Sequence, residues 1–185
     1  MLVRAGLLTL CLLTGMGLCI DVHADTVGEY TIKSALILNF ARFTDWHPEA
    51  FADSPDTLHI CIVGNDAVMD AFTGIEGKHV GKRHLAVRKV RTTRRLQDCH
   101  LVFVSGSNRG RLPQIFAALK GKPVLTIGEM ASFAESGGII NLVKAGGKIR
   151  FQVNLNAARR AGLKISSRIL KLATIVGGSH KEERE

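Results

Sequence analysis

The sequence predicts an α/β fold: a single three-layer domain with a mostly parallel central sheet flanked by helices, a C-terminal β-hairpin and a long C-terminal helix. Three observations carry this expectation. Short apolar runs bounded by turn residues, at 58–64, 100–105 and 123–129, read as strands buried on both faces. Helical patterns separate them at the spacing of β-α-β units. Beyond Gly137 the pattern becomes apolar–polar alternation on both sides of A-G-G at 145–147, which is hairpin patterning.

Taken in order, residues 1–24 are expected to form a cleaved signal peptide. Arg4 supplies positive charge, 5–20 is almost wholly apolar, and V-H-A at 22–24 suits a signal peptidase, with Asp25 opening the mature chain. The competing reading is an N-terminal membrane anchor, because the apolar run approaches the lower limit for a span. Leu precedes both Cys11 and Cys19, which disfavours lipid attachment. Removing the leader leaves about 160 residues, one domain with a sizeable core, assigned to 25–176. Residues 177–185 form a charged, flexible tail.

The first helix is expected over 30–46, with Ile32, Ala35, Leu36, Phe40, Phe43 and Trp46 on its core face. Ile37 and Leu38 fall outside that stripe. They offer a homodimer or partner surface, or else lie under the C-terminal helix. Asn39 reads as a buried amide bonded to backbone, since burying it unpaired costs about 1–3 kcal/mol. A helix follows the strand at 58–64, starting from an N-cap at Asn65 or Asp66. Residues 83–90 form a further strand, 92–98 a short helix or turn, 110–121 a helix stopped by Gly121, and 130–136 a short helical segment. After the hairpin, 155–176 is expected as one long helix with Gly162 in its middle.

The net charge is +9, and 78–95 holds eight Lys/Arg and no acid. Export removes nucleic acid as a partner, and no interleaved aromatics are available for base stacking. The stretch is either the solvated face of a strand and turn or a surface attracted to anionic lipid headgroups or an acidic protein. Of four cysteines, two lie in the leader, leaving Cys61 and Cys99. In an oxidising compartment an even count favours a bridge; the alternative is two buried thiols.

No catalytic constellation emerges, and no cofactor or metal site is expected. His47, His59, His79, His84 and His100 are scattered without ligand spacing, G-x-S-x-G and C-x-x-C are absent, and no acid pair is placed for glycoside chemistry. Three strands end alike, in I-V-G-N, V-S-G-S-N and T-I-G-E. In an open parallel sheet such ends gather on one edge where ligands bind, so Gly64, Asn65, Ser105, Ser107 and Gly128 are a candidate ligand cleft. The hairpin and following helix combine Ile140 with Lys148, Arg150, Arg159 and Arg160, an apolar anchor ringed by charge, as partner-binding surfaces are.

E-Y-T-I-K-S-A-L-I-L-N-F-A-R-F-T-D-W with Pro48 and I-C-I-V-G, together with G-G-I-I-N-L-V-K-A-G-G-K-I-R-F-Q-V-N-L-N-A-A-R-R-A-G-L-K-I-S-S-R-I-L-K-L-A, resembles the YfiR family of periplasmic repressors. The two motifs bracket essentially the whole mature chain. The resemblance implies a non-enzymatic α/β protein in the periplasm. Such a protein binds the periplasmic sensory domain of a membrane-anchored diguanylate cyclase and represses cyclic-di-GMP synthesis, which governs biofilm and motility. It also implies sequestration by an outer-membrane peptidoglycan-associated lipoprotein. Cys61 and Cys99 match the family's long-range cysteine pair. The second pair that some relatives carry near the hairpin is missing from 137–152, which sets aside redox sensing through that bridge. The alternative function is a periplasmic small-ligand sensor using the strand ends.

Overall fold

The computed structural model describes residues 23–177. The expected leader lies outside the described residues but for its last two, and the expected tail lies outside them but for Gly177. The chain runs α1 (His23–Arg42), β1 (Thr44–Asp45), β2 (Thr57–Val63), α2 (Asp66–Phe72), β3 (His79–Val80), β4 (Arg83–Lys89), β5 (Leu101–Val104), α3 (Leu112–Leu119), β6 (Leu125–Gly128), β7 (Ile140–Ala145), β8 (Lys148–Asn154), α4 (Leu155–Arg160), β9 (Lys164–Ile165), α5 (Ser167–Leu170) and β10 (Thr174–Val176). None of the described helices is long and apolar enough to cross a membrane.

Eight strands make one sheet in the order β10-β8-β7-β6-β5-β2-β4-β3. Its centre is parallel, from β4 through β2, β5 and β6 to β7. β3 and β8 join by antiparallel hairpins, the second being the one expected from the sequence. Both sheet faces are covered, so β2 feeds two cores by strict alternation. Leu58, Ile60 and Ile62 join the cluster that holds α1 and α2, while Cys61 and Val63 join the cluster that holds α3. Where β6 gives way to the next loop, Gly128 is required by packing. A Cβ there would lie 2.4 Å from the Phe133 ring.

The first helix is rotated from the orientation expected: Phe40 is buried as expected, but the centre of the buried face lies elsewhere. Ile37 (0 % exposed) and Leu38 (7 %) lie in the core with Phe40 and Ala41, while Ile32 is 56 % exposed. Ala35 and Asn39 are exposed as well, and Leu36, Phe43 and Trp46 are half-buried. Ile37 and Leu38 are therefore core residues, not an available dimer or partner surface, and Asn39 is not a buried amide. The helix is apolar on both sides, so its periodicity is almost degenerate. Long-range contacts decide the orientation, among them an edge-on packing of Phe40 on Phe151 at 5.0 Å. The helix stops at Arg42 because Thr44 pairs with Ile165 of β9. The amide of Ser166 donates to the Phe43 carbonyl at 2.9 Å, which fixes the same junction. Trp46 lies beyond the helix.

The expected long C-terminal helix is also broken. α4 ends after six residues. Gly162 adopts φ +67°, the left-handed conformation that glycine takes without steric cost. Leu163 N–H donates to Ala158 O at 2.9 Å and Gly162 N–H to Arg159 O at 3.0 Å, which is a Schellman stop. The remaining chain forms β9, the single turn α5, and β10, which pairs parallel to β8. The segment at 130–136 is a run of turns instead of a helix.

Candidate functional site: a disulfide-side cleft and two sheet edges

Cys61 in the middle of β2 and Cys99 just before β5 are joined by a disulfide, with α-carbons 5.9 Å apart. Both are buried, at 0 % and 3 % exposure. β2 and β5 are neighbours, and Cys99, which precedes β5 and is not bound by its alternation, joins Cys61 in the cluster that holds α3. Arg88, opposite Cys61 on β4, lies over the bridge. Its Nε–H points at Cys61 Sγ at 3.3 Å, and its Nη2 donates to the Asp98 carbonyl at 2.9 Å.

Beside the bridge, where the strands begin, is a cleft of about 310 Å³ lined by Ser54, His59, Arg88, Asp98, His100 and Val124 among others. His100 is locked in one tautomer. Nδ1 accepts the His59 backbone N–H at 2.9 Å, and Nε2–H donates to Ala50 O at 2.9 Å. Its ring stacks on Phe51 at 4.3 Å and on His59 at 5.6 Å. Burial, aided by nearby His59, Arg83 and Arg88, lowers the His100 pKa to about 4. Burial and the Arg88 charge lower that of His59 as well. Both shifts favour the neutral imidazole, and in His100 both ring nitrogens are taken up by the backbone.

The opposite edge, where β2, β5 and β6 end, gathers Gly64, Ser105 and Ser107 as the sequence suggested. A Cβ on Gly64 would be 3.3 Å from Ser105 Oγ, and Ser105 and Ser107 hydroxyls are 3.0 Å apart. The Asn108 amide donates to both hydroxyls, at 3.1 and 3.2 Å. Asn65 is occupied as the N-cap of α2, accepting Val68 N–H at 3.0 Å. Gly128 is covered by Phe133.

Next to it stands a group that the sequence did not reveal. Glu129 Oε1 accepts from Tyr30 OH at 2.8 Å and from Gly106 N–H at 3.0 Å, and its other oxygen pairs with Lys33. Lys33 also pairs with Glu29, which reaches Lys144 on the hairpin. The N-terminal half of α1 is thereby fastened over the strand ends. A lysine at the centre of the Ile37–Ala41 face was the available signal.

The proposed partner set does not form one patch. Ile140 is 0 % exposed, between Ile127 of β6 and Val153 of β8, so it is a core residue and no anchor for a partner. Lys148 and Arg150 are exposed at the start of β8. Arg159 and Arg160 are exposed beyond its other end, about 20 Å away by strand length.

Comparison with known proteins agrees with this architecture. A conserved domain protein from Vibrio cholerae O1 biovar El Tor superposes with a TM-score of 0.52 at 12 % identity, over 79 % of this chain and 59 % of its own. The ABC domain in complex with L-Trp from Streptococcus pneumoniae superposes with a TM-score of 0.51 at 11 % identity, over 75 % of this chain and 61 % of its own. The chain thus spans about six-tenths of each, and at such identity the likeness is one of α/β fold. The profile of the YfiR/HmsC-like family matches residues 30–174, from the turn of α1 that carries Tyr30 to the first residue of β10, and the chain belongs to that family.

Proposed function

We propose that this protein is a periplasmic negative regulator that binds the periplasmic sensory domain of an inner-membrane diguanylate cyclase and represses cyclic-di-GMP synthesis. The observation that carries the reading is family membership across 30–174. The locked tautomer of His100 and the mutual bonding of Ser105, Ser107 and Asn108 support action by contact instead of chemistry. The same saturation makes the strand ends the weaker choice as a small-ligand sensor.

The partner face we assign centres on Ile32, on the outward side of α1, with the hairpin cations Lys148 and Arg150. Ile32 is 56 % exposed, and Glu29–Lys144 ties α1 to the hairpin beside it. Apolar side chains edged by charge suit a protein contact. Deleting the gene in a strain that makes the cyclase should raise cyclic-di-GMP and adhesion and reduce swimming. Unchanged nucleotide levels there would refute the regulatory reading.

A further inference from the structure

The strands of the parallel centre end level with one another: Ile62 lies opposite Lys89, Val63 opposite Val104, and Val104 opposite Gly128. Topology therefore brings the segments after β4 and β5 to a single edge. Residues 89–95 and 106–111 together hold six Lys/Arg and no acid. The two segments are in contact, since Arg111 Nη2 donates to the Arg91 carbonyl at 2.8 Å. The acid that reaches them from α2 is Asp66, already paired with Lys89. Glu129, at the end of β6, turns inward to Lys33.

Three features narrow what such an edge can hold. First, the cations are spread along it, on two segments and several turns, and the cleft described above lies at the other end, where the strands begin. Second, the two segments present no exposed apolar side chain, because their one aliphatic residue, Val90, is 4 % exposed. Protein interfaces centre on desolvated apolar or aromatic groups, and this edge offers none. Third, Arg91, Arg94, Arg95 and Arg109 are all exposed. A dispersed cationic surface without apolar anchors matches a lattice of anionic headgroups, which attracts each nearby Lys or Arg independently.

We propose that this edge, built on the exposed Arg91, Arg94, Arg95 and Arg109, docks the protein on an anionic phospholipid surface. The contact is electrostatic and reversible. It would hold the protein at a membrane whether or not a protein partner is bound, so it stands apart from the regulatory reading.

The test is cosedimentation of the purified protein with vesicles of phosphatidylcholine alone and of phosphatidylcholine and phosphatidylglycerol at three to one. Arg91→Glu/Arg109→Glu reverses two exposed cations of the edge. Lys78→Glu/Lys82→Glu makes the same change in net charge at the other end of β4, on either side of β3. The wild type should partition at least about tenfold better onto the anionic vesicles, and high salt should abolish the difference. The edge variant should lose about tenfold, the control less than about threefold, and Arg91→Gln/Arg109→Gln should fall between wild type and reversal. Both reversals should keep the wild-type unfolding transition, since all four side chains are exposed. Equal binding to both vesicle types, or equal loss in the two reversal variants, overturns the proposal; the second result would mean that net charge alone acts.

Discussion

Lys33 and Glu129 meet inside the protein across 96 residues of sequence. Their side chains are 8 % and 6 % exposed. Tyr30, one turn before Lys33, joins the same carboxylate. Burial and the Glu129 charge push its phenol well above the ordinary range. Removing one member of a buried charged pair leaves the other short of partners, although Lys33 keeps Glu29. Glu129→Ala should therefore cost about 2 kcal/mol in urea unfolding, at the level of a lost charged hydrogen bond. Replacing both, as Lys33→Met/Glu129→Met, should recover part of that loss. Strict additivity of the two single changes would show that the pair does not act as a unit.

The disulfide closes a loop with a sequence separation of 38. Cys61→Ser should lower stability by about 2–4 kcal/mol and reduce abundance through proteolysis. Intact-mass measurement after alkylation should detect no free thiol at Cys61 or Cys99 in protein taken from the periplasm. Two alkylated cysteines would contradict it.

His100 gives the fold an acid limit. Its pKa is about 4 in the folded state against an ordinary 6.5, so below 6.5 the unfolded chain takes up a proton that the folded chain refuses. The stability it contributes is complete above about pH 6.5 and declines as pH falls toward 4, with a loss of about 2 kcal/mol by pH 5. His59, lowered in the same direction, adds to the loss. Denaturation at pH 7 and pH 5 should show a larger drop for the wild type than for His100→Gln. Parallel declines would assign the acid sensitivity to other groups.

Ile32 and Ile37 separate contact from packing, five residues apart on one helix. Ile37→Ala should cost about 2–5 kcal/mol, because the side chain is fully buried. Ile32→Asp should cost less than about 0.5 kcal/mol at an exposed position yet raise cyclic-di-GMP at unchanged abundance. If repression survives Ile32→Asp, the partner binds a different face.

The sheet was legible because its strands advertise themselves. Leu58, Ile60, Cys61, Ile62 and Val63 are all buried, as a run without alternation requires. The Gly-Gly turn likewise announced its hairpin. α1 was not legible in orientation. Ile32 and Ile37 carry equal apolar signals, and the choice between them rests on Glu129 and Phe151, which lie outside any local window. At α4 the signal was present but underweighted. Arg159 and Arg160 followed shortly by Gly162 is the pattern of a helix end, and the later apolar residues belong to a different element. The ring stack of Phe51, His100 and His59 depends on three separate segments, so no spacing in the chain could have exposed it.

The pairing of Thr44 with Ile165 sets a timetable for folding. Thr44 and Ile165 lie 121 residues apart, so β1 waits for its partner until nearly all the rest of the chain is in place. Until then Phe43 lacks Arg168, whose guanidinium lies 5.9 Å from its ring centroid, and the core around Phe40 lacks Leu163 and Ile169. The central strands, including the half-cystines, pair over shorter spans and have no need to wait. The domain is thus finished from the middle outward, and the end of α1 is among the last parts to become native. A chain cut short after α4 would hold its disulfide and its parallel strands while leaving that junction open, a species recognisable to proteases before it could engage any partner.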